Sequence, residues 1–448
     1  MSSKDRHSKV LSRRQVLTTS ALLVGGLAVP RSPFVGSAAA AQTTVKFAGW
    51  AFEPQVVEAN VKRFMEQNPD IRVDYTPLDL QLYNEKMVAL FNASSQGDAF
   101  YIRDTNLGSW VEAGWVQPID GMPGVKELND DMFPFIREAM FYKGKQYGTP
   151  YYGDIYVYMY DKKALQQAGI SKAPATLDGL KDAALEIKKA GAVQYPILKG
   201  FKTNVDGLSE FWSMVFASGG RLFNEALDPV YPNQDKTALG VLEWLVEAMH
   251  GWKILDPRGL ELDETQARDV YLSGQGIFTS NVGNVIPRAN NPQISKRAGD
   301  IQMMRFPALQ DLGKGPMGWS RLYGISSETK VKDAAWRLIY YLGGKDAKGE
   351  YFSAKDWYLK YGIGYPFKSL DQDPDIQAAQ KKTGYDLEVL RQQFANSRAR
   401  ENINATWYSE WDRFTQQQIQ SALLRQVKPA EALAASAKKA QDLKKSGG

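Results

Sequence analysis

Apolar positions along this chain alternate between two spacings, and the order of the alternation predicts the architecture. Val45-Lys46-Phe47-Ala48-Gly49 reads as a strand. Over residues 53–67, Val57, Val61, Phe64 and Met65 share one helical face, and Asn68-Pro69-Asp70 ends the helix. Ile71, Val73 and Tyr75 alternate as a second strand, Tyr83, Met87, Leu90 and Phe91 mark a second helix, and Asp98 to Ile102 form a third strand. Strand–helix–strand–helix–strand implies a parallel sheet with helices on both faces. Ligands of such sheets lie at the carboxyl ends of the strands. That rule singles out Trp50 at the end of the first strand and Arg103-Asp104 at the end of the third.

The same grammar resumes after Tyr160. Leu177, Leu180, Ala184 and Ile187 give a helix and Val193 to Leu198 a strand; Leu239, Leu242, Val246 and Met249 give a helix and Gly276 to Ser280 a strand. Ala335, Leu338, Ile339 and Leu342 mark a helix near 332–342, and the tail from Ser409 to Lys445 is helical with a mostly polar outside. No Gly/Ser linker separates the halves, so two closely packed lobes with several crossings are expected.

Residues 1–41 follow a different grammar. Lys4, Arg6, Lys9, Arg13, Arg14 and Arg31 precede or flank a short apolar stretch, Ala21 to Val29, and small residues follow from Ser37 to Ala41. This is the order of an export signal, and the stretch is far shorter than the ~20 residues of a membrane span. Arg13-Arg14 within Ser12-Arg13-Arg14-Gln15-Val16-Leu17 assigns it to the twin-arginine route. Cleavage is expected near Ala40 or Ala41. No cysteine is available as a lipid anchor, so a soluble periplasmic protein is expected.

Removing that segment changes the charge. It holds six of the 55 basic residues and one of the 50 acidic ones, which leaves 49 of each. Nucleic acid or an anionic membrane would favour a strongly basic protein, and the exported part is neutral. Its length exceeds the ~250–300 residues at which single cores split. Without cysteine there are no disulfides, and with His250 alone among histidines beyond residue 41, a His/Cys zinc site is excluded.

Catalytic motifs are absent. The closest approach to G-x-S-x-G is Gly318-Trp319-Ser320-Arg321-Leu322, which lacks the final glycine. No phosphate loop or dinucleotide fingerprint occurs. Asp371-Gln372-Asp373-Pro374-Asp375 has a calcium-like look, but Ile376 and Lys382 stand where an EF-hand needs Gly and Glu; it reads as a solvated acidic turn. His250 reads as a surface or capping histidine. Two alternatives stay open. A secreted glycosidase needs only two suitably spaced carboxylates, and Tyr151-Tyr152 is a tyrosine pair of the sort that binds ferric iron, against a reading as one core and one cleft tyrosine.

Eight segments, in order, resemble the extracellular solute-binding proteins of family 1, the maltose- and oligosaccharide-binding receptors. They are Lys46 to Trp50; Gly97-Asp98-Ala99-Phe100; Ala113-Gly114-Trp115-Val116-Gln117-Pro118-Ile119-Asp120; and Tyr147 to Asp154 running into Tyr158 to Lys162. They continue with Pro174 to Leu180, Ser218-Gly219-Gly220-Arg221-Leu222-Phe223, Thr329 to Leu342, and Lys428 to Ala440. The resemblance implies an α/β, two-lobed periplasmic-binding-protein fold: two doubly wound sheets, a hinge and an interlobe cleft. The first lobe is expected to take in 42–153 plus 320–371 and the second 154–319 plus 372–448. It further implies a non-enzymatic receptor without cofactor, expected as a monomer, which hands a carbohydrate to an ABC-importer permease in the inner membrane and binds no nucleic acid.

Carried over by position, Arg103, Asp104, Asp154, Asn281, Asn284, Trp319 and Trp411 fall where family members contact ligand. Asn281-Val282-Gly283-Asn284 stands where the maltose-binding branch has a stacking tryptophan, which counts against a maltodextrin. Sugars present polar edges and apolar faces, so a receptor needs carboxylates, amides and flat aromatics. With 11 Trp, 22 Tyr and 19 Phe the chain has aromatics to spare. Trp50, Tyr152, Trp212 and Arg321 complete the candidate ligand-binding set, although core packing is the commoner role for Trp212 and for Trp336.

Overall fold

The computed structural model describes residues 42–203 and 208–446; the segment expected to direct export, with Arg13-Arg14 and the expected cleavage site, lies outside the described residues. Among the described residues nine strands follow in chain order: β1 (Thr43–Trp50), β2 (Ile71–Leu78), β3 (Ala99–Arg103), β4 (Phe141–Tyr142), β5 (Lys145–Gln146), β6 (Thr149–Asp161), β7 (Phe278–Val282), β8 (Ile301–Met304) and β9 (Gly318–Ile325). β4 and β5 form a small hairpin, and the other seven make one sheet in the order β2-β1-β3-β9-β6-β7, with β8 also on β6.

The first half follows the periodicity. β1 pairs in parallel with β2 and with β3. The helix Pro54–Gln67 connects β1 to β2 and buries Val56, Val57, Val61 and Phe64, the face its spacing marks. Proline at its first turn costs no hydrogen bond, because that N–H has no partner in any helix. The helix Tyr83–Asn92 buries Tyr83, Met87 and Phe91 in the same way.

β6 joins the two halves. Its 13 residues pair antiparallel with β9 from Thr149 to Ile155, then with β7 and β8 from Tyr156 to Asp161. The expected pair of doubly wound sheets is thus one continuous sheet in which a single long strand serves both lobes. Beyond the crossing, β6 alternates: Ile155, Val157 and Met159 enter one apolar cluster, Tyr156 and Tyr158 the other. The first cluster is built on Phe47, Tyr101, Tyr151 and Trp357, the second on Trp212, Phe223, Leu245 and Trp411.

Two expectations need correction. Val193 to Leu198 is not a strand; only Ile197 makes isolated bridges, to Leu255 and Phe278. Pro196 has no N–H to donate to a ladder, although its carbonyl accepts from the amides of Ile277 and Phe278. The segment after Asp371 does not pack wholly with the second lobe either. The helices Pro374–Lys382 and Leu387–Asn396 bury Ile376, Leu390 and Phe394 in the first cluster, where the Phe394 ring lies 5.2 Å from Phe133. The tail is two helices, Tyr408–Leu423 and Pro429–Lys445.

Candidate functional site

Where β6 crosses between the clusters, the strand ends leave a cleft with two communicating chambers, of about 650 and 350 Å³. Phe52, Arg103, Tyr152, Asn284, Trp319 and Arg321 line both and so mark the waist between them. The strand-end rule explains this convergence. Arg103 ends β3 and lies opposite Arg321 of β9, while Tyr152 and Asp154 of β6 lie opposite Arg321 and Trp319. In β9, Gly318, Ser320 and Leu322 are buried while Trp319 and Arg321 are half-buried, so the pleat turns those two toward the cleft.

Asp104 opens the helix Asp104–Glu112 and is 1% exposed. One oxygen accepts from the Ser320 amide at 2.9 Å; the other accepts from Thr105 N at 2.9 Å and from Arg321 Nη1 at 2.8 Å. Its carboxylate is therefore committed to holding Arg321. The Arg103 guanidinium lies 5.8 Å from the Trp50 ring. Trp319 packs against Tyr156 with ring centres 5.0 Å apart, and the Tyr156 hydroxyl donates to Glu264 at 2.8 Å. Flat aromatic surface thus lies beside fixed donors and acceptors.

Asp154 lies at the crossing itself. It is 5% exposed and lines the smaller chamber. Burial pushes its carboxyl up to about 7, against the pull of the Ile155 and Gly364 amides. The fit is tight, since a β-carbon on Gly364 would come within 2.2 Å of the Gly153 carbonyl oxygen and 3.2 Å of the Asp154 carboxyl carbon. Glycine at 364 is what lets the two segments cross.

The other expected residues divide. Asn281 and Asn284 line the larger chamber, and Asn281 Oδ1 accepts from the Val282 amide at 3.0 Å. Trp50 is 4% exposed; it forms the inner wall of the smaller chamber and packs on Tyr83 and Tyr101. Trp212 and Trp411 do not reach the cleft. Both have no exposed surface and stack on one another at 6.0 Å in the second core, where Trp411 Nε1 donates to Tyr231. Their place among the ligand-binding residues is corrected: helix faces at 3.6 spacing carried them into the apolar interior. Tyr152 lines both chambers, whereas Tyr151 is buried in the first core and meets only the inner wall of the smaller one. Burial pushes the Tyr151 hydroxyl well above its ordinary value.

Residues outside that set complete the walls: Glu264 and Arg268 of the helix Glu264–Leu272, then Tyr361, Tyr385 and Arg400. The helix start was readable from the capping box Asp263-x-x-Gln266, whose side-chain bonds both form. Nothing in sequence marked Arg400, which arrives from a loop and reaches Asp412 at 3.3 Å. His250 has a structural contact, Nε2 lying 2.7 Å from the Leu423 carbonyl. The acidic turn is a cap, Asp373 accepting from the Asp375 and Ile376 amides. Among the described residues no cluster of three or more His, Cys, Asp or Glu could hold a metal ion.

The comparisons with known proteins fall on the same side. The family model described as bacterial extracellular solute-binding protein matches residues 52–349. A mannitol-binding protein of Pseudomonas aeruginosa is 27% identical over 38% of this chain and 39% of its own length. A maltotriose-binding protein of Pyrococcus abyssi is 25% identical over 64% of this chain and 59% of its own. The chain thus spans less than two thirds of these curated relatives. Among solved structures, the sugar-binding protein MalE of Xanthomonas citri superposes with a TM-score of 0.76 at 18% identity, over 90% of this chain and 97% of that one. Maltose-bound MalE3 of T. maritima gives 0.74 at 20% identity, over 90% and 100%. The fold is the two-lobed α/β fold of those receptors, and by its family match the chain belongs to the bacterial extracellular solute-binding proteins.

Proposed function

We propose that this protein is the periplasmic receptor of an ABC importer, exported by the twin-arginine route, which captures a carbohydrate between its lobes and delivers it unchanged to a membrane permease. The observation that carries the reading is the waist of the cleft. There Tyr152 and Trp319 present aromatic surface beside Arg321, whose guanidinium is locked by Asp104. That combination serves the apolar face and the hydroxyl edge of a sugar together. The mannitol and maltotriose named for the two relatives support the same ligand class.

In this reading the lobes divide at Gly153–Asp154 and at Trp319–Ser320, where β6 and β9 cross. Asp154, Asn281 and Asn284 meet ligand hydroxyls from one side and Arg103 and Arg321 from the other, with Trp50 backing the smaller chamber. Asp104 acts through Arg321. Of the three carboxylates on the larger chamber, Asp104 is consumed by its three bonds and Glu264 accepts from Tyr156. The protein works as a monomer without cofactor.

The test is thermal-shift screening against a carbohydrate panel, followed by mass spectrometry of the recovered ligand. Stabilisation grows as RT ln(1 + [L]/Kd), and the ligand should be recovered intact. A cleaved product would replace this reading with a hydrolase.

A further inference from the structure

Most charges on the cleft walls are answered inside the protein. Arg321 pairs with Asp104 at 2.8 Å, Arg268 with Asp269 at 3.0 Å, Lys360 with Asp356 at 2.9 Å and Arg400 with Asp412 at 3.3 Å. Asp154 is answered differently. Its carboxyl accepts from the Ile155 amide at 2.8 Å and from the Gly364 amide, and among the described residues no cation pairs with it. Burial pushes it up to about 7, and only those two amides act the other way. A buried carboxylate held by dipoles alone is costly until a counter-charge arrives.

The surroundings fix where that counter-charge can come from. A β-carbon on Gly283 would stand 3.1 Å from Asp154 Oδ1, and one on Gly364 would stand 3.2 Å from its carboxyl carbon. Backbone thus covers two approaches, and Asp154 joins the wall of the smaller chamber. Trp50, Phe52, Tyr152 and Trp319 line the same chamber, and Trp319 lies opposite Asp154 in the β6–β9 ladder. Ring faces carry negative charge density and attract an ammonium group. The exposed Glu85 adds a second carboxylate to this wall. The two cations of the wall, Arg103 and Arg321, are engaged elsewhere. Arg321 bonds Asp104, while the Arg103 guanidinium lies 5.8 Å from the Trp50 ring and its Nη2 donates to the Leu80 carbonyl at 3.5 Å. A ligand hydroxyl would bring Asp154 one dipole. An ammonium brings three N–H donors and the opposite charge, and so favours the ionised carboxylate.

We infer that the ligand is an amino sugar, a carbohydrate with a protonated amine in place of one hydroxyl, whose ammonium group sits against Asp154 among the rings of the smaller chamber. This rests on the carbohydrate reading above. The test is titration calorimetry of the purified protein with matched triplets: a neutral hexose or hexitol, the analogue with one hydroxyl replaced by an amine, and that amine N-acetylated. The set moves the amine through each position. In at least one triplet the free amine should bind at least ~10-fold more tightly than both neutral members. Most of that lead should survive ~0.5 M salt, because an enclosed pair is little screened. Asp154→Asn keeps the shape and should cut the lead at least ~5-fold, whereas Glu85→Gln at the exposed rim should cut it less than ~2-fold. Equal or tighter binding of the neutral members in every triplet overturns the amino sugar and leaves the carbohydrate reading standing. So does a lead that vanishes in salt, that persists in Asp154→Asn, or that Glu85→Gln removes. If no member of any triplet binds, both fall.

Discussion

The carboxyl of Asp154 makes a quantitative prediction at the hinge. In the folded protein it is pushed up from 3.8 to about 7, chiefly by burial, and the side chain is 5% exposed. Unfolding returns it to water. Between those two values the folded state holds a proton that the unfolded state has released, so raising pH through this window destabilises the fold. The penalty is absent below the lower value and complete above the upper one. The shift of about three units corresponds to an upper limit of about 4 kcal/mol, and water in the adjoining chamber reduces it to roughly 2–4 kcal/mol. Asp154→Asn keeps the shape and removes the titration. In urea denaturation of the ligand-free protein from about pH 3 to about pH 8, the variant should gain about 2–4 kcal/mol on wild type as pH rises, with the two converging at the acid end. Parallel curves across that range would refute the burial argument and place Asp154 in contact with water.

Further expectations follow from the same geometry. Trp319→Ala should weaken ligand binding by roughly 10–100-fold in calorimetry, through loss of a stacking face, with little change in melting. Trp212→Ala should do the reverse, costing about 3–5 kcal/mol of stability in denaturation while affinity per folded molecule is kept. Asp104→Asn should lower affinity about 10-fold by releasing Arg321, an effect that Arg321→Ala already contains, so the double variant should be no weaker than Arg321→Ala. Replacing Arg13-Arg14 by two lysines should leave precursor in the cytoplasm, read by fractionation and immunoblotting; normal maturation would reject the twin-arginine route.

How far the sequence reached depended on how local the signal was. β1 to β3 and their helices were legible, because Val57, Val61 and Phe64 at 3.6 spacing and Ile71, Val73 and Tyr75 at 2.0 spacing encode burial directly. Residues 193–198 looked like a strand by composition, but the missing N–H of Pro196 is felt only when a neighbour needs it. The aromatics show the deeper limit. Trp319 and Trp212 are the same side chain, and what separates them is the pleat of β9 against the buried face of the helix Ser209–Ala217. Strand-end position located Trp50, Arg103 and Asp104 at the cleft wall, but which of them points at a ligand depends on partners far away in sequence, as with Asp104 and Ser320. Arg400 and Tyr385 reach the chamber from loops after the strands have ended, where no periodicity speaks.

On the proposed function, the two chambers form one receptor site for a carbohydrate. It is tested most directly by small-angle scattering of the protein with and without a ligand taken from the calorimetric titration. One-to-one binding of a carbohydrate should be accompanied by a smaller radius of gyration at saturation, as the lobes turn about β6 and β9 and close, and Trp319→Ala should need roughly 10–100-fold more ligand for the same contraction. An unchanged radius at saturation, or a contraction in Trp319→Ala at the wild-type ligand concentration, would contradict it.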